Sequence, residues 1–384
     1  MDFGFTEEQE MLRESVIKLM AKHAPRESLR RWDRERKYPE ELYQAWVEAG
    51  LLRLPFPEKV GGLGASALDL ALVVYELSRV STDVSMAFGG SIFCGLNVLR
   101  KGTEDQRAHW IPKLLDGEIK FCIGISEPDA GSDVGAIRTY AVRDGDRYIV
   151  NGQKLWTTGA GLKNSVICAY VKTDRNVHYR KGMTHILIDN DMPGVELRKL
   201  DMLGRRSVGT YEVFFKDVSV PADRVIGGEG GGWDCLMGGL QYERAVSSAG
   251  NCGGAQAIVD LATSYARERI QFGQPIGSFQ AIGHMLADME TDLEAGKMLT
   301  WRANWLVSQR KDALREITHA KLFTSEMYAR HANMGVQIMG GYGLNQEFDM
   351  ERYLRDSRST TIAAGTSQTQ RNLLANLMGM KSKT

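Results

Sequence analysis

Cysteine pairs, clustered histidines, a charge bias and long apolar runs are all missing from these 384 residues, and each absence removes a class of function. The five cysteines (Cys94, Cys122, Cys168, Cys235, Cys252) are scattered, odd in number and form no C-x-x-C pair. That argues against a disulfide framework or a zinc site and for a reducing compartment. The seven histidines are equally dispersed, with no H-E-x-x-H, so no metal is expected. Lys plus Arg equals Asp plus Glu at 48 each, which supports neither a nucleic-acid surface nor an anionic-membrane binder. No run approaches 18 consecutive apolar residues, so no membrane-spanning helix is expected. The start, MDFGFTEEQE, has neither a signal-peptide core nor an Arg-rich transit pattern, and a cytoplasmic location is the expectation. A dinucleotide loop is absent too. The glycines of residues 227–232, GGEGGG, fit neither G-x-x-x-x-G-K-[ST] nor G-x-G-x-x-G, and they read as a hinge.

What is present is an ordinary globular composition, 43% hydrophobic and 25% charged, in a chain longer than one core supports. Its periodicity changes twice. The first part reads as helix: Thr6 to Gln9 matches a capping box, and Met11, Leu12, Val16, Leu19 and Met20 repeat at three and four. Further helices are predicted from Pro39, over 68–77 and over 103–115. The middle part reads as β: Asp144-Gly145 marks a hairpin, Asn151-Gly152 a second turn before a strand over 154–158, with strands over 165–172, 185–189 and 211–221. The last part returns to helix over 233–250, 255–270, 279–310, 315–339 and 369–380, interrupted at Gly340-Gly341. The expected organisation is mainly α with a central β-domain: a helical domain over 1–118, a β-domain over 119–226 and a helical unit over 227–384.

The densest local signal is IGISEPDAGSD at 123–133. By composition it is a tight turn that brings amides and hydroxyls against a ligand, or simply a capped surface turn. Glu127, Asp129 and Asp133 lack calcium-loop spacing and read as turn residues. ISEPDAGSD resembles the signature with which the middle domain of acyl-CoA dehydrogenases begins. The resemblance continues in order along the whole chain. WTTG at 156–159 looks like the family's flavin-contact strand. RERIQFG at 267–273, with Gln280, resembles its R-x-x-F-G…Q segment. QIMGGYG at 337–343 and AGTSQ at 364–368 resemble its Q-x-x-G-G-x-G and G-T-S regions.

The resemblance implies a three-part fold with a small β-barrel or sandwich between helical units, the last a four-helix bundle, and FAD as cofactor. Ile125, Ser126, Trp156 and Thr158 would line the flavin ring. Arg269, Gln271, Phe272, Gln280, Gln337 and Gly341 would hold the pyrophosphate and adenosine end of an FAD belonging to a neighbouring subunit. Thr366 and Gln368 would touch FAD as well. A guanidinium such as Arg269 suits phosphate because it donates two bonds at once. Ser132, Tyr242, Arg244, Ala364 and Gly365 would surround an acyl-CoA. A homotetramer built as a pair of dimers is implied, as is electron transfer to an electron-transfer flavoprotein.

The reaction removes an α-proton and a β-hydride from the thioester, and so needs a carboxylate base. Many members of the family place that Glu directly before G-T-S, where this chain has Ala364. Another branch, isovaleryl- and long-chain-type, supplies it from a segment resembling L-x-x-E-R, here residues 240–244, LQYER. Glu243 is therefore the expected base, set against the commoner fate of a Glu-Arg dipeptide as a surface ion pair. Arg355 and Asp356 read as a structural charge network. Three alternatives stand beside a CoA-ester dehydrogenase: oxidation of a carrier-protein-bound thioester, an enoyl-CoA reductase, and a flavin-binding protein without the reaction. By resemblance, residues 85–96 (SMAFGGSIFCGL) lie along the acyl tunnel, and without an Arg they disfavour a dicarboxylyl substrate. Acyl chain length is not legible.

Overall fold

The computed structural model describes residues 4–380. Six helices come first: α1 (Glu7–His23), α2 (Arg26–Glu35), α3 (Glu40–Glu48), α4 (Ala67–Val80), α5 (Thr82–Lys101) and α6 (Glu104–Leu115). Local chemistry sets their starts. Thr6 and Gln9 form the predicted capping box, and Ser66–Asp69 and Thr103–Gln106 form two more. The sequence predicted no helix at α2, at α5 or over Met350–Ser357. By length and composition α5 is apolar enough to cross a membrane, yet 78% of its most apolar 18-residue window is buried inside the fold. It is a core helix.

The middle of the chain forms one eight-stranded sheet with a short helix, α7 (Tyr179–Gly182), between two of its strands. The strands are β1 (Lys120–Gly124), β2 (Tyr140–Asp144), β3 (Arg147–Thr158), β4 (Ser165–Lys172), β5 (Met183–Asp189), β6 (Val195–Lys199), β7 (Thr210–Pro221) and β8 (Val225–Ile226). Their order is β6-β7-β3-β2-β4-β5-β8, with β1 parallel to β4. Asp144-Gly145 makes the predicted hairpin, pairing Asp144 with Arg147. Asn151-Gly152 does not turn the chain. β3 runs straight through it, and the pairing with β7 shifts register between Val150 and Gly152. Gly152 has φ +138°, and a Cβ there would lie 2.6 Å from the Thr139 backbone. The dipeptide is a bulge with a close backbone approach.

The chain then returns to helix with α8 (Gly232–Glu268). A two-stranded ribbon, β9 (Ile270–Gln271) and β10 (Gln274–Pro275), precedes α9 (Gln280–Ser308), α10 (Leu314–Met339), α11 (Met350–Ser357) and α12 (Ser367–Leu377). α8 corrects the two helices expected over 233–250 and 255–270. The glycines at 250, 253 and 254 do not break it, because they lie where other elements press closest. A Cβ on Gly253 would sit 2.2 Å from the Tyr75 carbonyl, and one on Gly254 2.7 Å from the Tyr328 ring. α8 thereby packs against α4, α9 and α10, with Ala249, Cys252, Ala255, Ile258 and Met327 in one core.

Candidate active site

Glu243 sits on α8 beside the turn between α11 and α12. It does not form the surface pair its neighbour Arg244 suggests. Arg244 instead donates from Nε to the Ala364 carbonyl at 2.7 Å. Lys321 on α10 donates from Nζ to the next carbonyl, Gly365, at 2.6 Å, and Gln370 Nε2 reaches the same oxygen at 3.2 Å. Among the described residues, no hydrogen bond or ion pair holds the Glu243 carboxyl. Burial pushes its pKa above the ordinary value, against the pull of Arg244, Arg205 and Lys321. A carboxyl in that state is poised to accept a proton.

The turn itself is unusual. Ala364 has φ +55°, a left-handed backbone that side chains with a Cβ seldom adopt, and Gly365 follows at +93°. The N–H groups of Ala364, Gly365 and Thr366 donate to no protein acceptor among the described residues. The Thr366 hydroxyl is engaged: it caps α12 by accepting from Thr369 N at 3.1 Å. Gln368 is exposed on the first turn of α12, and Tyr242 packs edge-on to Phe93 of α5 at 6.4 Å.

The β-domain face is fixed by an ion pair that composition did not reveal. Lys154, fully buried, donates to Glu127 Oε1 at 2.7 Å and to the Ile125 carbonyl at 3.0 Å. Glu127 also accepts the backbone N–H groups of Arg138 and Thr139. It is thus the internal clasp of its turn, more than a surface turn residue. Ser126 accepts the Leu155 N–H at 2.8 Å, which ties the ISEPDAGSD loop to β3. Just beyond, β3 shifts register between Lys154 and Thr157, and Trp156 takes φ +63° with 54% of its surface exposed. Thr158 bonds Thr210 side chain to side chain at 3.1 Å. Ser132 is exposed on the loop tip.

A second place gathers the other predicted residues. Arg269, Gln271, Phe272 and Gly341 line one groove of about 660 Å³ with Tyr265, Tyr342 and Asn345. Gln280 and Gln337 are exposed and adjoin lining residues without lining it themselves. The Arg269 guanidinium lies 5.6 Å from the centre of the Tyr342 ring. A Cβ on Gly340 or Gly341 would meet nothing within 4 Å, so the floor is open to a ligand, and the donors suit phosphate and an aromatic base.

Three family models cover nearly the whole chain: acyl-CoA dehydrogenase N-terminal domain over 6–118, middle domain over 122–218 and C-terminal domain over 230–379. The chain belongs to the acyl-CoA dehydrogenase family. It is 35% identical to a probable acyl-CoA dehydrogenase, YngJ, of Bacillus subtilis, over 98% of this chain and 99% of that one. Isovaleryl-CoA dehydrogenase of Pongo abelii is 36% identical over 96% of this chain and 88% of its own. Among solved structures, butyryl-CoA dehydrogenase of Megasphaera elsdenii superposes with a TM-score of 0.93 at 30% identity, covering 98% of this chain and all of that one. As a member this protein is a flavin-dependent oxidoreductase, with FAD as its cofactor. The helical–β–helical architecture expected from the sequence is the family's own.

Two groups at the site escaped the sequence reading, Lys154 and Lys321. The second left a signal. Ile317, Ala320, Lys321 and Thr324 repeat at three and four on the buried side of α10, so a lysine stands on an apolar stripe.

Proposed function

We propose that this protein oxidises an acyl-CoA thioester to the trans-2-enoyl-CoA, with Glu243 as the base that takes the α-proton. The observation that carries the reading is a half-buried carboxyl with no protein partner among the described residues, next to a turn whose N–H groups are also unclaimed. Bound FAD supplies the acceptor for the β-hydrogen, which leaves as hydride. The residues supply the rest. Glu243 accepts the proton, and the Ala364 N–H donates to the thioester oxygen, where the electron pair of the broken C–H bond collects. Ala364, lacking a carboxyl of its own, leaves that space to Glu243. Ile125, Ser126, Trp156 and Thr158 would line the flavin, with Lys154 and Glu127 keeping their backbone in place.

The groove at Arg269 would hold the other end of an FAD. Arg269 follows Glu243 by 26 residues along α8, a rise of roughly 39 Å, further than one FAD reaches. That spacing supports two chains sharing each cofactor, hence a dimer or the homotetramer of two such dimers. Electron-transfer flavoprotein is the proposed acceptor, and the cytoplasm the proposed location.

The test is Glu243→Gln, purified with FAD and mixed anaerobically with a panel of acyl-CoA esters. The expected result is unchanged FAD content and ligand binding, with flavin reduction slowed by about 10²–10⁴-fold. Near-normal reduction in the variant would sink Glu243 as the base. A wild-type protein reduced by no CoA ester, but by a carrier-bound thioester, would shift the substrate to the carrier.

A further inference from the structure

We infer that Lys321 is a positioning residue for this reaction: it holds the Ala364–Gly365 turn so that the turn's N–H groups face the thioester. The inference rests on the function proposed above and adds a group to it.

The argument starts from peptide geometry. In a trans peptide the C=O and the following N–H point in opposite directions, so fixing one carbonyl aims the next amide. Arg244 fixes the Ala364 carbonyl and so the Gly365 N–H; Lys321 fixes the Gly365 carbonyl and so the Thr366 N–H; the two pinned peptides in turn hold Ala364, whose own N–H is the donor proposed above, in its left-handed conformation. The two carbonyls are consecutive, and both bonds are charge-assisted, the stronger class of protein hydrogen bond. The other bonds at the turn, from Gln370 Nε2 to the same Gly365 oxygen at 3.2 Å and from the Ser367 N–H to the Thr361 carbonyl at 3.0 Å, are neutral and weaker. Ala364 sits in a left-handed conformation that costs free energy, and such strain persists only where surrounding structure over-determines it.

Lys321 is also an expensive residue to keep if its task were only packing. It lies on the buried stripe of α10, 3% exposed, where an apolar side chain would serve. It forms no ion pair among the described residues, and its side-chain hydrogen bond is the one to Gly365. The charged groups acting on it are Arg244 and Glu243 from α8 and Glu326 from its own helix. Burial brings its pKa down to about 8, so the ammonium persists at neutral pH. A buried cation beside the forming negative charge favours the enolate over the neutral thioester as well as holding the turn. In the step, the α-C–H bond breaks, the proton goes to the Glu243 carboxylate, and the electron pair moves onto the thioester oxygen beside these donors.

The experiment uses the FAD-loaded enzyme and a 3-thiaacyl-CoA, whose acidified α-carbon ionises without being oxidised. Its enolate against the flavin gives a long-wavelength absorbance, and the pH midpoint of that band reads enolate stabilisation apart from turnover. Lys321→Met is expected to raise the midpoint by about one pH unit or more, a tenfold weaker enolate, while the dissociation constant of the un-ionised ligand changes less than about threefold, well under one such unit. Lys321→Arg, which keeps a charged donor, should restore most of the midpoint and guards against a Met variant that folds poorly. A wild-type band whose midpoint is the same in both variants overturns the role of Lys321 alone. So does a loss of ligand affinity that parallels the midpoint. A wild-type enzyme that binds the ligand but forms no band overturns the proposed reaction, and this inference with it.

Discussion

Glu243, as the proposed base, would trade stability for chemistry. As the proposed base, Glu243 takes the α-proton only as a carboxylate, so the rate of flavin reduction should fall as pH drops through its pKa, which burial places above the usual 4.5. Stopped-flow reduction across pH 5 to 8 checks this, and Glu243→Gln should abolish that limb. The stability consequence has a definite sign. Between the ordinary carboxyl pKa and the raised folded one, the native state binds more protons than the unfolded state. Native stability therefore declines as pH rises through that window, and an ionised Glu243 burdens the fold at neutral pH. Glu243→Gln keeps the shape without the charge, so its Tm at pH 7 should exceed the wild type's. A lower Tm would mean the carboxylate is held by partners after all. His185 and His331 work the other way. Burial lowers them to about 3 and about 4, so both stay neutral when folded and take up protons on unfolding. Stability should be lost as pH falls from about 6.5 toward these values, seen as a declining Tm between pH 7 and 5.

At the scale of the element, α8 tests whether its glycines are breaks or contacts. Gly253→Ala places a Cβ 2.2 Å from the Tyr75 carbonyl, backbone that cannot yield without moving α4. A loss of about 1–3 kcal/mol is expected, read as a lower Tm. Gly238→Ala on the same helix meets only the Arg100 guanidinium at 3.7 Å and should be neutral or stabilising, by up to about 1 kcal/mol. Equal losses at both positions would refute the contact argument. The same helix shows what a sequence reveals. The capping box at Thr6, the helix from Thr103 and strands such as Ser165–Lys172 were legible because they depend on near neighbours. Gly253 and Gly152 were misread because their meaning lies in Tyr75 and Thr139, residues far off in the chain or across a strand. The site divides along the same line. Glu243 was reached through a motif, while Lys321 was visible only as a misplaced charge whose carbonyl partner 44 residues away needs the fold.

On the whole molecule, the rim of the Arg269 groove bears on assembly. Phe272 is 92% exposed on the β9–β10 ribbon and shares the groove with Tyr342 at 43%; Ile270 at 51% and Leu344 at 67% lie two residues along the chain from each, respectively. A cluster of exposed large apolar residues around a lined groove is the mark of a surface that is covered in use. If a second chain covers it and shares the cofactor, assembly and FAD retention are coupled, each stabilising the other by mass action. Phe272→Ser should then sediment as a smaller species than the wild type and release FAD on dilution. Arg269→Ala removes phosphate donors without removing the apolar rim, so it should weaken FAD retention first and dissociate only once FAD is gone. Adding excess FAD should restore the assembly of Arg269→Ala but not that of Phe272→Ser. Analytical ultracentrifugation at flavin and protein wavelengths follows both quantities at once. A dissociated Phe272→Ser chain that keeps FAD as tightly as the wild type would show that one chain holds the whole cofactor, and the roughly 39 Å between Glu243 and Arg269 would then need another explanation.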